Sequence, residues 1–386
     1  MKERIHIGFF GCRNVGKSSL VNKITNQEMS VVSDVKGTTT DAVKKAMELL
    51  PLGKVLIIDT PGFDDEGELG EKRVNATKKI LNNCDIAILV TEANRELNSI
   101  EKELIEIFQK RSVPYIIVKN KEDITEKLNN SYENIVYTST INNSGIEELK
   151  NEIGKLVKNK DKERFLVKDL IGAKDIVILV TPIDSAAPKN RLILPQQLAL
   201  KEIVESGAIA IVTKETELAQ TLNSITIKPK LVITDSQVFK EVNNIVPKDI
   251  PLTSFSILMA RYKGFLDTAI SGINQIKKLT LNSKILISEG CTHHKQCDDI
   301  GTVKLPKLLN KFTNLDLNFE WTSGNDFPTD LGDYDLVIHC GGCMVTTNEM
   351  LYRMNLAKEQ NIPFTNYGIA IAYMNGILER SLEIFN

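Results

Sequence analysis

Eight residues near the N-terminus, Gly11-Cys-Arg-Asn-Val-Gly-Lys-Ser18, constrain the fold more than any other segment. They follow the apolar run Ile5-His-Ile-Gly-Phe-Phe10 and lead into a stretch of helical periodicity from about Lys17. A strand, a glycine-turned loop and a helix in that order begin a βαβ unit, which needs a parallel sheet with helices on its faces. Glycines let the loop turn tightly, so successive amide N–H groups converge on anionic oxygens beside the positive end of the helix. In such a loop Gly11, Asn14, Val15, Gly16, Lys17, Ser18 and Ser19 surround a nucleotide's phosphates. Lys17 supplies a point charge for the β- and γ-phosphates, and the Ser18 hydroxyl ligates Mg²⁺.

The remaining parts of a nucleotide switch follow in order. Val55-Leu-Ile-Ile-Asp59 reads as a buried strand ending in a carboxylate suited to the Mg²⁺ shell. Thr60-Pro61-Gly62 comes next, with the Gly62 N–H placed to sense a γ-phosphate. Gly37-Thr-Thr-Thr-Asp41 offers hydroxyls on a segment that γ-phosphate and Mg²⁺ can order. Asn120-Lys121-Glu122-Asp123 follows the apolar strand 114–119 and selects the base. A carboxylate accepts from both N1–H and the exocyclic amine of guanine, whereas adenine lacks that donor pair. With charged hydrogen bonds contributing roughly 1.5–3 kcal/mol each, the expected ligand is GTP.

At 386 residues the chain is too long for one core, and strand-like runs alternate with amphipathic segments throughout. Strands are expected near 5–10, 44–50, 55–59, 85–90, 114–119 and 134–137, closed by a helix over 145–158. The run 158–164 has no apolar face and reads as a linker. A middle block repeats the alternation with strands near 175–181, 208–213 and 230–234. A last block begins with a helix over 265–278, then strands near 284–290, 317–321, 335–339 and 364–367. The expected domains are therefore 1–160, 168–262 and 266–386, each α/β. The charge balance, 48 Lys+Arg against 50 Asp+Glu, weakens a general nucleic-acid or anionic-membrane binder. No apolar run approaches the roughly 20 residues of a membrane span, and a cytoplasmic location is expected.

Residues 1–160, with Gly-Thr-Thr-x-Asp and Asp-Thr-Pro-Gly, resemble the Era/TrmE/EngA group of GTPases. That resemblance implies that Thr39 is the switch Mg²⁺ ligand and works with Lys17 and Asp59 in hydrolysis. It further implies that Asn14 helps bind a stimulating K⁺. Ser139 would support the base, with Thr140 where the group usually has alanine. In Ras-like GTPases a glutamine after the switch glycine orients the attacking water. Here that position is Phe63, so intrinsic hydrolysis is expected to be slow and assisted by K⁺, a partner or dimer contacts.

The last block concentrates Cys291, Cys297, Cys340 and Cys343 with His293, His294 and His339, the pattern of a metal site in a reducing compartment. Cys291 and His339-Cys340 each follow a strand, and groups at the carboxyl ends of parallel strands share one crevice. The residues alone leave a Cys₃His zinc site and a [4Fe–4S] site with one exchangeable iron both open. His293, His339, Cys297 and Asp298 compete as fourth ligand.

The order of GTPase, middle block and Cys-x-His…His-Cys-x-x-Cys resembles the HydF family of [FeFe]-hydrogenase maturation GTPases. Thr181-Pro-Ile-Asp-Ser-Ala-Ala-Pro188, Arg191-Leu-Ile-Leu-Pro195 and Pro363-Phe-Thr-Asn-Tyr-Gly368 extend the match. The resemblance implies a [4Fe–4S] cluster on Cys291, Cys340 and Cys343 with a labile fourth position. It also implies a homodimer through the middle domain, and a scaffold or carrier role for a diiron precursor bearing CO and cyanide. Implied partners are two radical-SAM maturases and the immature hydrogenase. The rival reading is an RNA-associated Era/TrmE-like GTPase with a structural zinc. It lacks a Gly-x-x-Gly loop with basic flanks.

Overall fold

The structure is a computed structural model. It describes residues 5–26, 43–49, 53–60, 62, 80–81, 84–111, 113–124, 132, 134–160, 164–182, 192–290, 299–324 and 326–385. The chain divides into two compact units, one over Lys2–Glu163 and one over Arg164–Asn386, the latter grouped with Met1.

The first unit contains strands β1 (Ile5–Phe10), β2 (Val43–Leu49), β3 (Gly53–Asp59), β4 (Ile86–Glu92), β5 (Tyr115–Asn120) and β6 (Ile135–Tyr137). Their order across the sheet is β2-β3-β1-β4-β5-β6, with only β2 antiparallel to its neighbour. Successive side chains alternate between faces, so the apolar run of β4 feeds two cores at once. Ile86, Ile88 and Val90 pack with α1 (Lys17–Thr25) and α3 (Ile146–Lys160). Ala87 and Leu89 pack with α2 (Ser99–Lys110) on the other side. The sheet sets β3 beside β1 and β5 one strand further on, across β4, and these three are the strands whose following loops carry the nucleotide motifs.

The second unit holds two parallel sheets. One has order β10-β9-β7-β8 and the other β12-β11-β13-β14. The middle segment runs β7 (Ile176–Val180), α4 (Leu194–Glu205), β8 (Ile209–Thr213), α5 (Leu218–Ser224), β9 (Leu231–Thr234), α6 (Phe239–Ile245), β10 (Leu252–Ser254) and α7 (Phe255–Lys263). The last segment runs α8 (Leu266–Gly272), β11 (Lys284–Glu289), α9 (Leu305–Thr313), β12 (Asn318–Ser323), β13 (Leu336–His339), α10 (Thr347–Glu359), β14 (Phe364–Asn366), α11 (Tyr367–Met374) and α12 (Leu378–Leu382).

Helix α7 buries Phe255, Ile257, Leu258, Met259, Ala260 and Lys263, so most of its surface faces protein. Ile257 and Ala260 belong to a core that continues into the last sheet through Ile285, Val337 and Phe364. Phe255, Leu258 and Met259 belong to the core on the far side of the middle sheet. The two sheets therefore share α7. Among the described residues, no helix is long and apolar enough to cross a membrane.

Candidate functional site

The loop between β1 and α1 is shaped by close approaches. A Cβ on Gly11 would lie 2.1 Å from the Val90 carbonyl oxygen, and one on Gly16 would lie 2.3 Å from Asn120 Nδ2. Gly16 also caps α1 at φ 89°, a conformation that favours glycine. Asn120 Nδ2 donates to the Val15 carbonyl at 2.9 Å, and Thr138 Oγ1 donates to Asn120 Oδ1 at 3.2 Å. The phosphate loop and the base-selecting loop are thus welded through one buried amide. Ser139 Oγ donates to Asp123 Oδ1 at 2.5 Å while accepting from the amides of Ile141 and Asn142. Half-buried Thr140 leads the turn into Ile141. Lys121, at φ 64°, pairs with Glu92 at 2.5 Å.

Lys17 is 8% exposed, and its amine donates to the carbonyls of Gly11 (2.8 Å) and Cys12 (2.6 Å). That arrangement folds the charge over the place where phosphates bind. Ser18 Oγ donates to Asp59 Oδ2 at 2.6 Å, bringing together the two groups expected to share Mg²⁺. Hard oxygen donors at this spacing suit a small divalent cation bound partly through water. A Cβ on Gly62 would lie 2.5 Å from Arg13 Cγ and 2.8 Å from Arg13 N, so this glycine abuts the phosphate loop. Thr39, Pro61 and Phe63 lie outside the described residues.

Sequence reasoning missed the support beneath these loops. Glu101 is fully buried and takes a bidentate pair from Arg95, both contacts at 2.7 Å. Asn98 and Glu101 form a reciprocal cap on α2, and Asn98 Nδ2 also donates to Cys12 Sγ at 3.3 Å. Lys119, one residue before Asn120, donates to the Arg95 carbonyl at 2.5 Å. Burial lowers its pKa. The Asn-x-x-Glu spacing at 98–101 was the available signal.

In the second unit, β13 ends at His339 and the chain turns through Cys340-Gly-Gly-Cys343, with Gly342 at φ 67°. Cys340 Sγ accepts from the amide of Gly290 at 3.1 Å and that of Gly342 at 3.4 Å. Burial pushes its thiol up to about 11, against the pull of the Gly290 amide. Two N–H donors on one sulfur are the environment a metal-bound thiolate uses. Cys343, half-buried, is likewise not in a disulfide. Cys291, His293, Cys297 and Asp298 lie outside the described residues. Gly290, the last described residue before Cys291, stands against the Cys340 sulfur at the carboxyl ends of β11 and β13. Among the described residues, no three His, Cys, Asp or Glu side chains gather to hold a metal.

His339 differs from its expected place among the fourth-ligand candidates. It is fully buried, its Nδ1 is 2.9 Å from the Cys340 carbonyl, and its Nε2 is 3.0 Å from Arg353 Nη1. A guanidinium only donates, so Nε2 is the acceptor and Nδ1 carries the proton. Burial, then the charge of Arg353, lowers its pKa to about 3. Both nitrogens are engaged, so in this arrangement the ring braces Cys340 from behind. Arg353 is itself held by Glu349 at 2.7 Å, and both side chains are almost wholly buried. Glu289 and Tyr367 Oη, 3.2 Å apart, add a polar pair that the sequence did not single out.

Comparison with known proteins divides the chain along the same lines. The model described as hydrogen maturase F dimerization domain matches residues 166–264, and that described as hydrogen maturase F tetramerization domain matches 267–384. The model of the 50S ribosome-binding GTPase matches 6–121. The tRNA modification GTPase MnmE of Thermoanaerobacter sp. (strain X514) is 32% identical over 165 residues, covering 41% of this chain and 35% of its own. GTPase Der of Campylobacter hominis is 34% identical over 154 residues, 38% of this chain and 33% of its own. The chain thus spans about a third of the length of these curated relatives. Among solved structures, the G domain of the T. maritima FeoB iron transporter aligns over 40% of this chain and 99% of its own, at 25% identity and a TM-score of 0.31. At that score the likeness carries no argument.

Proposed function

Because this chain belongs to the hydrogen maturase F (HydF) family of GTPases, we propose that it carries the diiron precursor of the [FeFe]-hydrogenase active site on a [4Fe–4S] cluster and hands it to the immature hydrogenase. GTP hydrolysis with Mg²⁺ belongs to the first unit, and the oligomerisation segments form the second. The scaffold role, the cluster, the two radical-SAM maturases as partners, stimulation by K⁺ at Asn14 and a cytoplasmic location belong to the proposal.

The observation that carries it is the meeting of Gly290 with the Cys340 sulfur. Cys291 is the next residue in the chain after Gly290, and on that ground the proposal assigns it to the same centre as Cys340 and Cys343. Three thiolates from two strand ends, with His339 occupied elsewhere, leave a four-iron cluster one ligand short. When bound, such a cluster supplies a thiolate-free iron open to an exogenous ligand. The protein's part is to hold the three sulfurs, to keep the His339 ring off that corner, and to seat the loop against β11. In the first unit Lys17, Ser18, Asp59 and Thr39 hold the phosphates and Mg²⁺, and Asn120, Asp123 and Ser139 hold the base. With Phe63 after Gly62, hydrolysis is slow in the isolated protein, and the nucleotide state changes domain or partner contacts.

The RNA-associated alternative draws only on the first unit. Middle strand β8 lies at a sheet edge with Ile209 and Val212 exposed, which favours pairing with another copy over solvation. Anaerobic purification, iron and sulfide analysis, and EPR test the proposal. The wild-type protein is expected to be brown and reducible, and Cys340→Ala to lose the signal and hydrogenase maturation together. A colourless zinc protein, or maturation by Cys340→Ala, would sink it.

A further inference from the structure

One buried cation stands beside the thiol loop with no part in the reading so far. Lys263, the last residue of α7, is 0% exposed, and its amine donates to the Val345 carbonyl at 2.9 Å. Val345 gathers the loop. Its own amide closes back on the Gly342 carbonyl at 3.1 Å, between the two cysteines. Its side chain fills the space beside Gly290, where an added Cβ would lie 2.2 Å from Val345 Cγ2. Gly290 in turn donates to the Cys340 sulfur.

The same face of α7 touches the loop again. Ser256, Met259 and Lys263 recur at i, i+3 and i+7, one side of a helix. A Cβ on Gly341 would lie 3.4 Å from Ser256 Oγ and 3.8 Å from Met259 Cβ. Cys343 packs against the core that contains Leu258 and Met259. At its other end the loop is pinned by the Cys340 amide on the Ser288 carbonyl and by His339 on the Cys340 carbonyl.

We infer that Lys263 is a positioning residue for the thiolate loop, through which the segment matched by the dimerization model sets the geometry and redox poise of the metal site. The inference rests on the cluster reading above. Burying a lysine is costly unless its amine is hydrogen-bonded, and here it donates to the Val345 carbonyl of the loop. A cation fixed beside a negatively charged cluster favours its reduced form.

The test uses the full-length protein without iron and after anaerobic reconstitution, comparing wild type, Lys263→Met and Lys263→Arg. In iron-free protein, iodoacetamide labelling of Cys340 and Cys343 is followed by mass spectrometry. Lys263→Met is expected to label about tenfold faster, the change a lost buried hydrogen bond makes in a local opening equilibrium. Lys263→Arg is expected to stay near the wild-type rate. After reconstitution, Lys263→Met is expected to show a lower midpoint potential and altered EPR, both restored toward wild type in Lys263→Arg. Should Lys263→Met not fold, Lys263→Gln, with a shorter donor, takes its place. A folded variant with wild-type labelling and wild-type potential overturns the inference. Wild-type protein that binds no iron overturns the cluster reading instead, and the labelling arm then decides the positioning role alone.

Discussion

Two loops in this protein face the same topological problem and solve it differently. The phosphate loop follows β1 and the thiol loop follows β13, each at the carboxyl end of a parallel strand and each turned by glycines. In the phosphate loop the charged group, Lys17, belongs to the loop itself and rests on its carbonyls. Asp123, the residue proposed to select the base, is exposed. In the thiol loop the Cys340 sulfur faces inward to amides, and the buried charges Lys263, Arg353 and Glu349 lie in the surrounding core. A ligand that must come and go is met by groups that solvent can also satisfy. The proposed resident cluster would be met by groups that only the folded protein satisfies. The first arrangement puts its energy into affinity and the second into stability.

The largest expected effect lies at the nucleotide. Asp123→Ala removes two charged hydrogen bonds to guanine, a loss of about 3–6 kcal/mol in GTP over ATP preference. Because the side chain is exposed, midpoints of denaturant unfolding in the nucleotide-free protein should barely move. Competition binding and urea titration on one preparation check both halves. Next comes Arg353→Met, which leaves Glu349 as a buried carboxylate and takes the donor from His339 Nε2. Breaking a buried pair costs about 3–5 kcal/mol, so the second unit should unfold at distinctly lower urea while GTP affinity is unchanged. If Arg353→Met unfolds no earlier than Asp123→Ala, the contrast between the two loops is wrong.

The contrast also explains what the sequence disclosed. Strands of the first unit and their loops were legible because continuous apolar runs and glycine-turned motifs are local signals. The two strands expected near 44–50 and 55–59 pair antiparallel as β2 and β3. Strand β10, only Leu252–Ser254, is too short for any period to show. Arg353 and Glu349 stand at i and i+4, a spacing that reads as a solvated helix pair. Only the packing of α10 makes them buried. Lys263 in a last helical turn likewise reads as a surface cation beside the helix dipole. The family resemblance implied a homodimer through the middle block, and a dimerization-domain model matches residues 166–264. The tetramerization-domain match over the cysteine-bearing block had no signal in the sequence, because a metal motif says nothing about the surface around it.

The smallest effect tests whether support for the nucleotide loops follows the same rule. Ser139 is buried, yet its hydroxyl serves Asp123, which is exposed. If the nucleotide site stores its energy in affinity, Ser139→Ala should misalign the Asp123 carboxylate and cost about 1 kcal/mol, roughly fivefold, in GDP affinity. Unfolding of the nucleotide-free protein should shift less than that, because the amides of Ile141 and Asn142 that the hydroxyl also accepts stand in a turn where water can replace it. Isothermal titration with GDP beside a urea melt separates the two quantities. A stability loss larger than the affinity loss would place Ser139 with Arg353, among groups that hold the fold, and would show that the two loops differ in ligand alone.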